Sequence, residues 1–349
     1  MERFTEELLR ALLERRNSDV ERSPDIFEYL VSNSLEGIFY HLMGNRIDRE
    51  LKKRLQKRLS FLIMRDTVQR NFLKKISLHM KRKKLRFLIL KGPAIADELY
   101  PPLTRFYEDI DILLHEEDYN RARDVILKSG FVPFVGRNGF VFTPAFKEEI
   151  LVHKEIDYLQ VDLHRALFSK YRFNMDFEEV WASSREFEID GVIIRKMEPG
   201  KEFIYLLLHS AAHFYKLRGI NIIDISLHYR KFKHNIKEIL EEMKRRKNHY
   251  AGYYMLKFLI KNGFIIADER EIDHMEPPLF SRILMNLLTS PDRTDYLRFE
   301  RLPFLVRAGT VLASTPGFFN KTMFVYHYLR RRGDAIIKRF RSRWNKNPV

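Results

Sequence analysis

The chain has 349 residues, of which 45% are hydrophobic, enough for a sizeable core spread over one to three units. Its 63 basic residues outweigh 47 acidic ones by a formal charge of +16, which favours polyanionic partners such as nucleic acid or nucleotides and leaves the fold open. Cysteine is absent, so disulfides, thiolate zinc sites and cysteine nucleophiles are excluded.

From the start, "MERFTEELLRALLERR" mixes charges at helical spacing and lacks the apolar core of a signal peptide, as expected of a cytoplasmic protein. Apolar residues then recur at three and four through "DIFEYLVSNSLEGIFYHL" and "LSFLIMRDTVQRNFLKKI", the pattern of packed helices. Ser23-Pro24 supplies a helix start. Near residue 85 the pattern changes. "LRFLILK" is a continuous apolar run of strand length, "PAIADELY" a short helix and "DIDILL" a second strand. "EEDYNRARDVILKSG" is a helix closed by Gly130. "FVPFV", "GFVFTP", "EILVHKE" and "LQVDLH" follow as strands, and "REFEIDGVIIRKM" is a hairpin turning at Asp190-Gly191.

After Pro199 the helical period returns in "EFIYLLLHSAAHFYKL", "IIDISLHYRKF", "IKEILEEMKRR" and "YYMLKFLIKNG". No stretch reaches the roughly 18 clean apolar residues of a spanning helix; the nearest, "LPFLVRAGTVLASTPGFFNKTMFVYHYL", is expected as a buried helical pair. The expected fold class is α+β. A small mixed β-sheet core, residues 85–197, stands between an N-terminal helical region, residues 1–84, and a C-terminal helical domain with a basic tail, residues 198–349.

Two aspartates sit inside "EDIDILL". On a strand, residues two apart share a face, so Asp109 and Asp111 project side by side while Ile110, Ile112 and Leu114 go to the core. Adjacent carboxylates repel unless a cation lies between them, and hard oxygen ligands suit Mg²⁺. Asp162 occurs in the strand-like "YLQVDLHRAL"; if the two strands are neighbours, it meets the pair and holds a second metal. Such a geometry serves in-line attack on phosphorus.

"LKGPAIADELYPPLTRFYEDIDILL", then "VDLHRAL", then "LLLHSAAHFYKLRGINIIDISL" resembles the uncharacterised nucleotidyltransferase family of the polymerase-β-type nucleotidyltransferase superfamily, over roughly Leu85 to Leu227. The resemblance implies a nucleotidyltransferase core using two Mg²⁺ ions to move a nucleoside monophosphate from an NTP to an acceptor hydroxyl. It implies that Asp109 and Asp111 are metal ligands and that Asp162 activates the acceptor. Gly92 would let backbone amides approach the phosphates, with Lys91 and Arg105 supplying positive charge. Two features depart from the superfamily's broad pattern and agree with the narrower family. Pro93 stands where Ser or Gly is common, and the gap from Gly92 to Asp109 is long, with Pro101-Pro102 inserted.

His164 shares the face of Asp162 and is expected as a hydrogen-bonded histidine leaning towards the site. His209 and His213, four apart on a helix, are candidates for packing or substrate contact before metal binding, since no metalloprotease glutamate accompanies them. Asp224 is expected either to bond one of these histidines or to cap its own helix. The runs "LKKRLQKRL" and "KRKK" are solvated helix faces in the plainer reading and an electrostatic track for nucleic acid in the sharper one. The acceptor stays open: nucleic acid, protein, sugar or small alcohol. A rival class is a non-catalytic basic nucleic-acid-binding or regulatory protein that retains the fold, with Pro93 and the long gap in its favour.

Overall fold

Two strands with an aspartate at the same height lie side by side at the centre of the molecule. They are β2 (Ile110–Leu114) and β5 (Gln160–His164), paired in parallel so that Asp111 stands opposite Asp162. β1 (Phe87–Leu90) flanks β2 antiparallel, while β4 (Glu148–His153) and β3 (Phe131–Pro133) continue the other side antiparallel. The five-stranded sheet runs β1-β2-β5-β4-β3. Every residue of β1 and β2 is buried, the signature of strands covered on both faces. In this computed structural model residues 8–10, 12, 26–134, 148–169, 172–213, 217–288, 309–310 and 312–315 are described.

The mixed α+β class expected from the sequence is the class observed. Before the sheet come α1 (Ile26–Asn33), α2 (Glu36–Met43) and the 34-residue α3 (Arg49–Arg82). α4 (Lys91–Leu99) follows β1 directly, and α5 (Tyr119–Lys128) follows β2. After β5 come the short α6 (Phe177–Ala182) and the hairpin β6 (Arg185–Ile189) and β7 (Val192–Lys196). It turns where expected, with Asp190 and Gly191 both at positive φ, as a two-residue hairpin turn requires. The C-terminal helices are α7 (Pro199–Ala212), α8 (Gly219–Phe232), α9 (Ile236–Arg245), α10 (His249–Lys261), the one-turn α11 (Arg270–Asp273) and α12 (Leu279–Leu288). The Ser23-Pro24 start, the "GFVFTP" strand and the basic tail lie outside the described residues. So does most of the C-terminal apolar segment, although Ala313 within it is buried in the helical core.

α3 shows how one helix joins two cores. Asp48 caps its N-terminus by accepting from the amides of Glu50 and Leu51, both at 2.9 Å. Leu51 and Leu55 pack into a core shared by the N-terminal and C-terminal helices. Phe72, Leu73, Ile76 and Met80 pack instead into the core beneath the sheet. Between them the buried stripe turns polar at Asp66 and Gln69, and Gln69 donates to the Glu108 carbonyl at 3.2 Å. That polar interval is where α3 passes the carboxylates.

A buried ion cluster holds the other side. Lys196 on β7 is 1% exposed, with Nζ 2.6 Å from Glu98 Oε2 and 3.0 Å from Glu202 Oε2. It thereby fastens α4 to α7. Burial opposes charge on Glu98, but Arg185 and Lys196 outweigh it and hold its pKa down to about 2.

Candidate active site

The sheet, α3, α7 and α8 enclose a cleft of about 470 Å³, within the range of small-molecule sites. Asp109 immediately precedes β2, and alternation puts it on the same face as Asp111. Because β2 and β5 are neighbours, Asp162 joins them: one ligand oxygen from each of the three aspartates lies within 4.8 Å of the others. The three carboxylates face the cleft together.

Their neighbours divide the charge unequally. Lys91 Nζ lies 3.0 Å from Asp111 Oδ2, and His164 Nε2 lies 2.8 Å from Asp111 Oδ1. Burial works to raise the Asp111 pKa, but Lys91 and His164 outweigh it and hold the carboxyl well below the usual range. Burial likewise opposes charge on Lys91, and Asp111 more than compensates, leaving that ammonium above the ordinary lysine range. Asp109 is raised, by burial first and then by Asp111. Among the described residues Asp162 has only Gln160, 2.8 Å away, as a hydrogen-bond donor; burial, then Asp109 and Asp111, push it up to about 8. One carboxyl held down and two pushed up is what crowding of three buried carboxyls produces, and a divalent cation would relieve it.

Lys91 and Gly92 open α4 at the rim of the cleft. Lys91 adopts φ +42°, an uncommon conformation for a residue with a side chain and one that recurs at functional sites. Gly92 is required by packing. A Cβ there would meet Tyr107 Cβ at 2.8 Å and Cγ at 2.9 Å. Pro93 falls in the first helical turn, where its missing N–H breaks no helical bond.

Arg105 also lines the cleft, but its fork is turned to protein. Nε and Nη2 donate to the two oxygens of Asp224, each at 2.9 Å, and Nη1 donates to the Phe106 carbonyl. Tyr100 donates to the same Asp224 carboxylate. The expectation for Asp224 is thereby corrected: it neither bonds a histidine nor caps α8, because its place in the middle of that helix aims it at the loop bearing Arg105. His209 and His213 both line the cleft, one turn apart near the end of α7, with ring centroids 4.5 Å apart. Among the described residues neither joins a group of three metal-ligating side chains.

The cleft contains residues that sequence reasoning passed over. Glu148 sits opposite His164 in the β4–β5 register, its Oε2 3.6 Å from His164 Nδ1. Tyr205, whose phenol is pushed up by burial, reaches the cleft from α7. Arg58 and Arg65 come from α3, and Arg218 from the start of α8. A signal existed for the α3 pair: seven residues apart, they fall on the face that carries Leu55, Leu62 and Gln69.

The family model described as uncharacterised nucleotidyltransferase matches residues 25–260. Among solved structures, the lincomycin-bound lincosamide antibiotic adenylyltransferase LnuA is 18% identical, over 45% of this chain and 93% of its own, with a TM-score of 0.32. An antigenic nucleotidyltransferase-like protein from Paracoccidioides brasiliensis is 14% identical, over 46% of this chain and 75% of its own, also at 0.32. No curated protein matches the chain. The family match spans α1 to α10 and includes all three aspartates, and the chain belongs to the uncharacterised nucleotidyltransferase family.

Proposed function

We propose that this protein is a Mg²⁺-dependent enzyme that transfers a nucleoside monophosphate from an NTP to an acceptor hydroxyl and releases pyrophosphate. The observation that carries the proposal is the convergence of Asp109, Asp111 and Asp162 in the cleft of a nucleotidyltransferase-family chain. Their oxygen donors and close spacing fit hard divalent cations. When bound, such ions would neutralise the triphosphate and acidify the acceptor hydroxyl.

The chain's own groups divide the remaining work. Asp109 and Asp111 would hold the cation, and Asp162 faces the acceptor hydroxyl and takes its proton. The acceptor oxygen attacks the α-phosphorus as the bond to the bridging oxygen breaks, and pyrophosphate leaves. Lys91 and the first amides of α4 supply positive potential to the phosphates. Arg105, braced by Asp224, adds to it from the loop before β2. His164 fixes the orientation of Asp111, and His209 and His213 belong to the wall that meets the acceptor.

A second reading draws on one observation. Both oxygens of Asp111 already have partners, so Lys91 and His164 stabilise the site without metal. On that reading the chain binds nucleic acid or regulates without turnover. Calorimetric titration of each NTP, with and without Mg²⁺, into wild type and an Asp109→Asn, Asp111→Asn variant separates the two. Metal-dependent binding lost in the variant is expected, followed by pyrophosphate release once an acceptor is supplied. Nucleotide binding indifferent to Mg²⁺ and to the variant would leave only the second reading.

No helix among the described residues is long and apolar enough to cross a membrane.

A further inference from the structure

α3 lies outside the strand-helix-strand unit that carries the carboxylates, yet it contributes Arg58 and Arg65 to the cleft. The other cations there are engaged. Lys91 is on Asp111 and Arg105 on Asp224. Arg58 is 3.1 Å from Glu36, and Arg218 is 2.7 Å from Glu108. Arg172 donates to the last carbonyls of α7, at Ala211 and Ala212. Arg65 differs: among the described residues its guanidinium makes no hydrogen bond or ion pair at all, and its Nε–H, like that of Arg172, is shielded from solvent with no acceptor. Buried donors in folded proteins are almost always satisfied, so an unpaired one at a cleft wall points to a ligand that supplies the acceptor.

The place of Arg65 says which part of a ligand that is. Its neighbour Asp66 lies against the Tyr107 phenol, and Tyr107 packs on Gly92 at the start of α4. One turn further along, Gln69 fastens α3 to the Glu108 carbonyl. Arg65 therefore lines the cleft on the turn of α3 that packs towards Tyr107 and the start of α4, near enough to Glu108 to feel its charge.

We infer that Arg65 takes the terminal phosphates of the nucleotide, which makes α3 part of the active site; the inference rests on the nucleotidyltransferase reading above. A guanidinium fork suits paired phosphate oxygens, and it adds a cation bound to no carboxylate beside Lys91 and Arg105, whose charge Asp111 and Asp224 share.

The test uses the full chain and base-independent probes: magnesium tripolyphosphate by calorimetry, with AMP and Mn²⁺ as controls, in wild type, R65Q and R65K. R65Q is expected to weaken tripolyphosphate binding by about ten- to a hundredfold, the effect of losing a charge-assisted contact, while AMP and Mn²⁺ bind as before. R65K should recover part of the loss. Tripolyphosphate binding equal to wild type in R65Q overturns the assignment, as does a loss confined to single-stranded RNA, which would place Arg65 on the acceptor. A wild type that binds neither Mn²⁺ nor any NTP removes the nucleotidyltransferase reading itself, an outcome distinct from a silent R65Q.

Discussion

Lys91 Nζ approaches Asp111 Oδ2 to 3.0 Å, so the residue that follows β1 and opens α4 places its own cation among the carboxylates. Lys91 and a metal ion then compete for the same charge. In Lys91→Met the buried Asp111 loses its ammonium, and removing one partner of a buried pair costs about 3 kcal/mol or more. The metal-free variant should melt lower than wild type, and Mg²⁺ should restore more of its Tm than it adds to wild type. Mn²⁺ affinity should rise while NTP affinity falls. A variant whose destabilisation is indifferent to Mg²⁺ would show that Lys91 and the ion do not share Asp111.

Asp162 gives the site a pH dependence of definite sign. Its carboxyl is pushed up to about 8 in the folded metal-free protein, against about 3.9 in an unfolded chain. Between those values the folded state holds a proton that the unfolded state has lost, so this group's contribution to stability falls as pH rises from about 4 to about 8. Cation binding requires the charged form; apparent Mg²⁺ affinity should climb by about tenfold per pH unit below 8 and level above it. Melting curves from pH 5 to pH 9 without metal, compared with Asp162→Asn, test the first statement, since the variant should remove part of the decline. Calorimetry in buffers of different ionisation enthalpy tests the second by counting protons released.

Much of this arrangement was legible in the sequence because it depends on strand period. Asp109 and Asp111 share a face by alternation, and the helical, strand-rich and helical stretches appear in the order that periodicity suggests. That β2 and β5 are neighbours was only a condition, because no local pattern reveals which strands pair. The pairing of Arg105 with Asp224 was illegible for the same reason: it joins distant segments of the chain. Asp224 is on α8 and Arg105 in the loop before β2, so local spacing suggested a histidine or a cap for Asp224 and missed the actual partner.

Arg105 and Asp224 are 9% and 5% exposed and joined through both carboxylate oxygens. Asp224→Ala would leave the guanidinium and the Tyr100 hydroxyl without their acceptor in a dry setting, a loss of about 3–5 kcal/mol by comparison with other broken buried pairs. Thermal melts should show that drop with and without nucleotide. Arg105→Lys should be nearly as harmful, because an ammonium cannot bond both oxygens and the Phe106 carbonyl in one plane. If Asp224→Ala melted like wild type and only nucleotide affinity changed, Arg105 would be a ligand contact with no bracing role.

Gly92 offers the sharpest separation of packing from chemistry. A methyl group at that position would stand 2.8 Å from Tyr107 Cβ, so α4 or the Tyr107 loop must move by several tenths of an ångström. Overpacking of this kind costs about 1–3 kcal/mol, which a protein of this size should survive. The displacement falls between the first amides of α4 and the loop that leads into Asp109, so the phosphate-facing amides and the carboxylates lose their relative positions. Gly92→Ala should therefore fold, with a Tm lowered by a few degrees, and still bind Mn²⁺ through the three aspartates. Its NTP affinity and any nucleotidyl transfer should fall by tenfold or more, consistent with the sensitivity of catalysis to ångström-scale misplacement. Circular dichroism, Mn²⁺ titration and NTP calorimetry on one preparation decide the matter. Unchanged NTP affinity in a folded Gly92→Ala would mean that the start of α4 does not touch the phosphates.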